Sequence, residues 1–132
     1  GRKKNVIIAK NGKNVYPEEI ETRLNRFAHI KECIVFGKQS ETKGEDICAL
    51  VVPNRDLLIE EAESEHRKVT REDEVRVVRD AVKSYNRTAE THKRISSFLV
   101  SDDELPKTTT RKIKRKAALK EAGITPGEVF RP

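Results

Sequence analysis

Long hydrophobic runs are missing from this 132-residue chain, and cysteine is scarce. No stretch approaches the roughly 18 apolar residues that a membrane-crossing helix needs. No secretory leader pattern opens it either. Gly1-Arg2-Lys3-Lys4 leads straight into a strand-like segment, as expected of a cut within a longer protein. The two cysteines, Cys33 and Cys48, each lie inside an apolar segment, so they read as small buried hydrophobes in a reducing compartment rather than as a disulfide. His29, His66 and His92 are scattered far from them, which fits no zinc spacing. The expected location is cytoplasmic, or peripheral at a membrane surface. The glycines do not form G-x-x-x-x-G-K-[ST], excluding a P-loop. No Ser/His/Asp or Cys/His constellation occurs, and no two carboxylates read as a matched acid–base pair. With 35% apolar and 38% charged residues, the chain can build one modest core but not a roomy pocket. A substrate site would therefore lie on a surface, at an edge, or against another domain.

What the chain does have is a concentration of positive charge. Of a net +6, residues 105–120 (LPKTTTRKIKRKAALK) alone hold seven basic side chains and no acidic one, leaving the rest near neutral. Such a segment calls for an anion.

Periodicity gives an α+β outline. Val6–Ala9 and Asn14–Tyr16 flank Asn11-Gly12, a hairpin signal because both turn residues tolerate positive φ. A two-residue loop sets Ile8 opposite Val15 and Ile7 opposite Tyr16. Pro17 opens a helix over 17–28, with Glu18 and Glu19 at its positive end and Ile20, Leu24, Phe27 and Ala28 on one face. Cys33–Phe36 and Ile47–Val52 form an antiparallel strand pair across the turn 37–44. A short helix spans 56–68. Thr70 to Asp73 is a capping box that opens a longer helix with Val75, Val78, Val82 and Tyr85 inward. Ile95–Val100 is a third strand. A last helix starts near Thr110, turns Ile113, Ala117 and Leu119 inward and stops at Gly123. The expectation is thus a small N-terminal β-hairpin (5–16), then a roughly three-stranded, largely antiparallel sheet packed with helices (17–123), and a loose tail (124–132), all within one domain.

Two segments carry chemistry. In Pro106–Arg115, threonines 108–110 are flanked by cations and together make an anion-binding surface, and Lys112 falls in the first turn of the last helix, where free N–H groups also favour negative charge. On composition alone this is equally a solvated basic loop or a nucleic-acid patch, although only scattered Phe and Tyr could stack on bases. The other segment runs from Gly1-Arg2-Lys3-Lys4-Asn5 into Gly12-Lys13-Asn14-Val15-Tyr16-Pro17-Glu18-Glu19-Ile20-Glu21. Locally it is only a hairpin feeding a helix.

Together they change the reading. G-R-x-[DK]-x-I-I followed by G-x-N-V-Y-P-x-E-I-E resembles the opening signature of the C-terminal domain of the adenylate-forming superfamily, the acyl-CoA synthetases, peptide-synthetase adenylation domains and luciferases. L-P-K-T-x-T-x-K-I-x-R, about ninety residues later, resembles the signature near that domain's end. The resemblance covers nearly the whole chain and is closest to fatty acyl-CoA synthetases. It implies a mobile lid that closes over a larger N-terminal adenylation domain, where ATP, Mg²⁺ and the carboxylic acid are held, with CoA as the acyl acceptor. None of these is expected to bind the lid alone, and the lid alone is expected to be inactive.

Residue by residue, the resemblance puts the catalytic lysine at Lys112, the hinge at Lys4, nucleotide contacts at Arg2 and Asn14, and the pantetheine tunnel at Gly12 and Lys13. An acyl carrier protein is the alternative acceptor, with Lys114, Arg115 and Lys116 as the surface that would meet it. A non-enzymatic nucleic-acid-binding module is the remaining alternative. One departure stands out. The family has Gly before the catalytic lysine, and this chain has Arg111, which would be strained if that position requires positive φ.

Overall fold

The computed structural model describes residues 6–124 and 129–132, with the side chains of 121–124 left aside. In chain order the elements are β1 (Ile7–Ile8), β2 (Asn14–Val15), α1 (Pro17–Leu24), β3 (Ile30–Gln39), β4 (Glu45–Pro53), α2 (Arg55–Ser64), α3 (Arg71–Thr88), a 3-10 turn (Thr91–Lys93), β5 (Ser97–Val100), α4 (Arg115–Ile124) and β6 (Val129–Phe130). A two-stranded hairpin stands beside a four-stranded sheet of order β3-β4-β5-β6. The α+β expectation holds.

Strand alternation explains why the sheet is covered on both sides. One face carries Cys33, Val35, Ile47, Ala49, Val51, Phe98 and Val100, which form the larger core with Ile7 and Val15 of the hairpin, Ile20 and Leu24 of α1, and Val75, Val78, Val82 and Tyr85 of α3. The other face carries Ile34, Leu50, Val52 and Leu99, covered by Leu105, Ile113, Ala118 and Leu119 from the cationic segment. Cys33 and Cys48 are both free and buried. Burial pushes the Cys33 thiol up to about 12.

The pairing of β3 with β4 is antiparallel, as the turn between them dictates. β5 instead runs parallel to β4, because α2 and α3 carry the chain back to the starting end of the sheet. The capping box is present: Thr70 accepts from the Asp73 N–H and Asp73 accepts from the Thr70 N–H. Among the described residues no buried side-chain nitrogen or oxygen lacks a hydrogen-bond partner.

The short helix runs Arg55–Ser64 rather than over 56–68, and β3 extends from Ile30 to Gln39. Four further features differ from expectation. The hairpin pairs Ile7 with Val15 and Ile8 with Asn14, one residue off the expected register. Ala9 N–H donates to Lys13 O (3.0 Å) and Gly12 N–H to Ala9 O (2.9 Å), with Gly12 at φ +82°. This is a three-residue loop with a left-handed glycine, not a two-residue one. The slip buries Ile7 and Val15 and leaves Ile8 and Tyr16 exposed. Next, α1 ends at Leu24, since Arg26 N–H and Phe27 N–H tighten onto the carbonyls of Arg23 and Leu24. The last helix begins at Arg115, not near Thr110, and Gly123 lies within it. Finally, the tail is not wholly loose. Val129–Phe130 pairs with β5, the Phe130 ring stacks on Phe98 at 5.5 Å, and Arg79 donates to the Arg131 carbonyl.

Candidate functional site

The cationic segment forms a pinned hairpin rather than a helix start. Leu105 is buried against the second core cluster, and its N–H donates to Glu32 Oε2 (2.6 Å). Glu32 Oε1 pairs with Lys107 Nζ (2.7 Å), which also donates to Leu105 O. Lys107 then bridges Ile113, and Thr108 N–H donates to Lys112 O (2.8 Å). The reversal is closed by Arg111 N–H to Thr108 O (2.9 Å), with Arg111 at φ +66°. Lys114 N–H donates to Pro106 O. Ile113 points into the core, so its neighbour Lys112 points out and is exposed.

This changes the roles of several motif residues. Lys112 sits three residues before α4 rather than in its first turn, and its N–H donates to Thr108 Oγ1 (3.2 Å). Helix N-terminal amides therefore do not assist it. Thr108 and Thr110 share a hydrogen bond (3.0 Å), so at least these two hydroxyls shape the turn. Lys107 is committed to Glu32. Arg115 is committed to Glu21, with Nη2 at 2.8 Å from Oε2. That removes Arg115 from the basic surface assigned to an acidic carrier. Arg111, Lys112, Lys114 and Lys116 remain exposed, and among the described residues Lys112 makes no ion pair. Its amine is a solvated point charge at the end of a fixed loop, suited to meeting a phosphate or carboxylate.

Glu21 has a second partner. Its Oε2 accepts the Val35 N–H (2.8 Å), while Arg115 Nη1 donates to the Val35 carbonyl (2.9 Å). Burial pushes the Glu21 carboxyl above its ordinary range, against the Val35 N–H and the Arg115 charge, which pull it down.

The other projecting segment is the hairpin. Gly12 is there for its backbone: a Cβ would meet nothing within 4 Å, but φ +82° disfavours any L side chain. The hairpin rests on the β3–β4 turn. A Cβ on Gly44 would fall 2.7 Å from Ala9 O and 2.8 Å from Lys10 Cα. Glu45 Oε1 accepts the Ile8 N–H (3.0 Å), and Lys10 pairs with Asp46 (3.1 Å). Lys13 and Asn14 are exposed beside Gly12.

Gly12, Lys13 and Asn14 are thus brought together, on the hairpin whose Ile7 and Val15 belong to the larger core. Lys112 belongs to the segment that covers the opposite face of the sheet. Arg2 and Lys4 lie outside the described residues. Sequence reading missed Glu32, Glu21, Gly44 and Glu45. The signals were faint: a lone acid at the start of an apolar strand run, the closing acid of the first signature, and a Gly-Glu pair in a polar turn. Among the described residues no three His, Cys, Asp or Glu side chains gather where a metal could be held. No helix among them is long and apolar enough to cross a membrane.

Residues 4–122 match the family model described as the AMP-binding enzyme C-terminal domain. The chain is 47% identical over 53 residues to the indoleacetate–CoA ligase of Aromatoleum aromaticum, covering 40% of this chain and 10% of that enzyme. It is 37% identical over 51 residues to a mitochondrial medium-chain acyl-CoA ligase of Rattus norvegicus, covering 39% and 8%. Its fold superposes on a fatty acyl CoA synthetase of Mycobacterium tuberculosis with a TM-score of 0.63 at 22% identity, over 94% of this chain and 21% of that one. Alignment, fold and signatures agree, and the chain belongs to the family of AMP-binding enzyme C-terminal domains. The matched stretches span 8–10% of the length of these two curated relatives.

Proposed function

We propose that this domain is the mobile lid of an ATP-dependent, AMP-forming acyl-CoA synthetase, and that Lys112 serves its first half-reaction. A carboxylate oxygen attacks the α-phosphorus of ATP and pyrophosphate leaves, so two anions must be forced together. An ammonium brought between them offsets the repulsion and stabilises charge on the transferring phosphoryl group. The observation that carries this reading is Lys112 standing exposed on a loop whose two ends are pinned by Glu32 and Glu21. Mg²⁺ would neutralise phosphate charge when bound. No residue described in this chain is assigned to hold it, and ATP and the acid would sit on the N-terminal adenylation domain.

In the second half-reaction the CoA thiol attacks the acyl carbonyl of acyl-AMP and AMP leaves. For this step the lid would turn about Lys4 and present the hairpin, with Gly12 and Lys13 lining the pantetheine tunnel and Arg2 and Asn14 contacting the nucleotide. The placement of Gly12 and Lys112 on segments that cover opposite faces of the sheet supports one lid serving two reactions. A fatty or similarly apolar acid is the proposed substrate, in keeping with the medium-chain ligase among the relatives. The test is the full-length protein carrying Lys112→Ala. Acyl-AMP formation should fall by about 10² to 10³, while thioester formation from supplied acyl-AMP stays near wild type. Equal loss in both steps would overturn the assignment.

A further inference from the structure

We propose that Glu21 and Glu32 are positioning residues for Lys112, fixing both ends of its loop to the same strand. The inference rests on the reading of Lys112 given above. The loop enters through Leu105 and Lys107, both bound by Glu32, which lies on β3 and is itself buried. It leaves through Arg115, which is held by Glu21 and by the Val35 carbonyl, three residues further along β3. Between these anchors the amine depends on one tight turn and on Ile113 packing against the sheet. A charged group acts on a reacting centre only if it arrives in register, and a misplacement of about 1 Å can cost about a hundredfold in rate. Glu21 closes the first signature and Arg115 closes the second, so their ion pair also ties the helix that follows the hairpin to the loop that bears Lys112. The hairpin itself is seated elsewhere, on Gly44 and Glu45. Loosening the Glu21–Arg115 pair should therefore injure one half-reaction and spare the other.

The experiment uses the full-length protein with Arg115→Met, Arg115→Lys, Glu21→Gln and, as reference, Lys112→Ala. The readouts are acid-dependent pyrophosphate exchange, thioester formation from supplied acyl-AMP, and amide hydrogen exchange at Thr108 and Lys112. For Arg115→Met the kcat of adenylation is expected to fall about 10- to 100-fold. The KM values for ATP and acid and the thioester step should stay within about twofold, and both amides should exchange faster. Arg115→Lys should recover part of the kcat. Glu21→Gln keeps an oxygen for the Val35 N–H but removes the charge and turns the second Arg115 acceptor into an amide donor, so it loosens the same pair and decides the matter should Arg115→Met fold poorly. Full adenylation in both Arg115→Met and Glu21→Gln, beside a crippled Lys112→Ala, overturns the positioning role. A matching fall in both half-reactions for Glu21→Gln also overturns it, by showing a general structural role. Full adenylation in Lys112→Ala instead removes the underlying reading of Lys112.

Discussion

The two projecting loops both turn through left-handed backbone, but they reach it by different means. At the hairpin tip the residue is Gly12, at φ +82°, which adopts that conformation at no steric cost. In the cationic loop it is Arg111, at φ +66°, where a non-glycine residue gives up about 1–2 kcal/mol. Their foundations differ as well. The hairpin is seated by main-chain fit against Gly44, with the Glu45 carboxylate on the Ile8 N–H and an exposed Lys10–Asp46 pair beside it, whereas the cationic loop is tied through partly buried side-chain charge to Glu32 and Glu21. The two carboxylates take Lys107 and Arg115 out of the basic surface and leave Arg111, Lys112, Lys114 and Lys116 exposed on it.

The contrast can be broken from either side. The largest effect is expected from Glu32→Ala, which strands the Lys107 ammonium and the Leu105 N–H where little water reaches; the side chains of Lys107 and Glu32 are only 17% and 9% exposed. Breaking such a pair should cost about 3 kcal/mol in denaturant unfolding. A loss under about 1 kcal/mol would show that Lys107 readily finds water instead.

Gly44→Ala should come next. Its Cβ would overlap the main chain at Ala9, and φ is +75°. A loss of about 2 kcal/mol is expected, with faster amide exchange at Ala9 and Gly12 but not at Thr108. Uniform exchange in both loops would mean that they are not separately founded.

Smaller still are the tip exchanges. Arg111→Gly relieves backbone strain but frees the unfolded chain, for a net gain of about 0.5–1 kcal/mol. Gly12→Ala should lose about 1 kcal/mol, since its penalty is conformational alone. Paired melting curves would check both, and the opposite signs are the point.

The smallest effect is a control on a region belonging to neither loop. The hydrogen bond from Arg67, helped by the Thr70 N–H, holds the Asp73 carboxyl at about 2, below its ordinary 3.8. Because the folded value is the lower one, its contribution is complete above about pH 4 and fades as pH falls towards 2. NMR titration of Asp73 should show that midpoint, and Arg67→Ala should raise it without altering either loop.

Much of this was legible in the residues. The capping box at Thr70, the α3 stripe and the β3–β4 pair follow from local spacing, because periodicity reports directly which side of an element is buried. The hairpin register was not legible. Asn11-Gly12 serves a two-residue or a three-residue loop equally well, and the choice falls to burying Ile7 and Val15 together with the seat at Gly44. The start of α4 was misplaced for a related reason. Ile113 and Ala117 stand at helical spacing and drew the helix start too early, but Leu105 and Ile113 must both reach the sheet, and a tight reversal lets them. At the candidate site Lys112 was proposed through its motif, whereas the groups that anchor its loop are distant in sequence and carry no spacing signal. Arg115 was visible but was given to the surface, since charge alone does not reveal which cation a buried acid will claim.

The double plug at Val35 has one more consequence. β3 is the outermost strand of its sheet, and bare main-chain groups on such a strand invite a foreign strand to zip alongside. Here a carboxylate covers the donor and a guanidinium covers the acceptor at mid-strand. At that position a second strand finds neither a donor nor an acceptor to pair with, so the edge is interrupted at its middle.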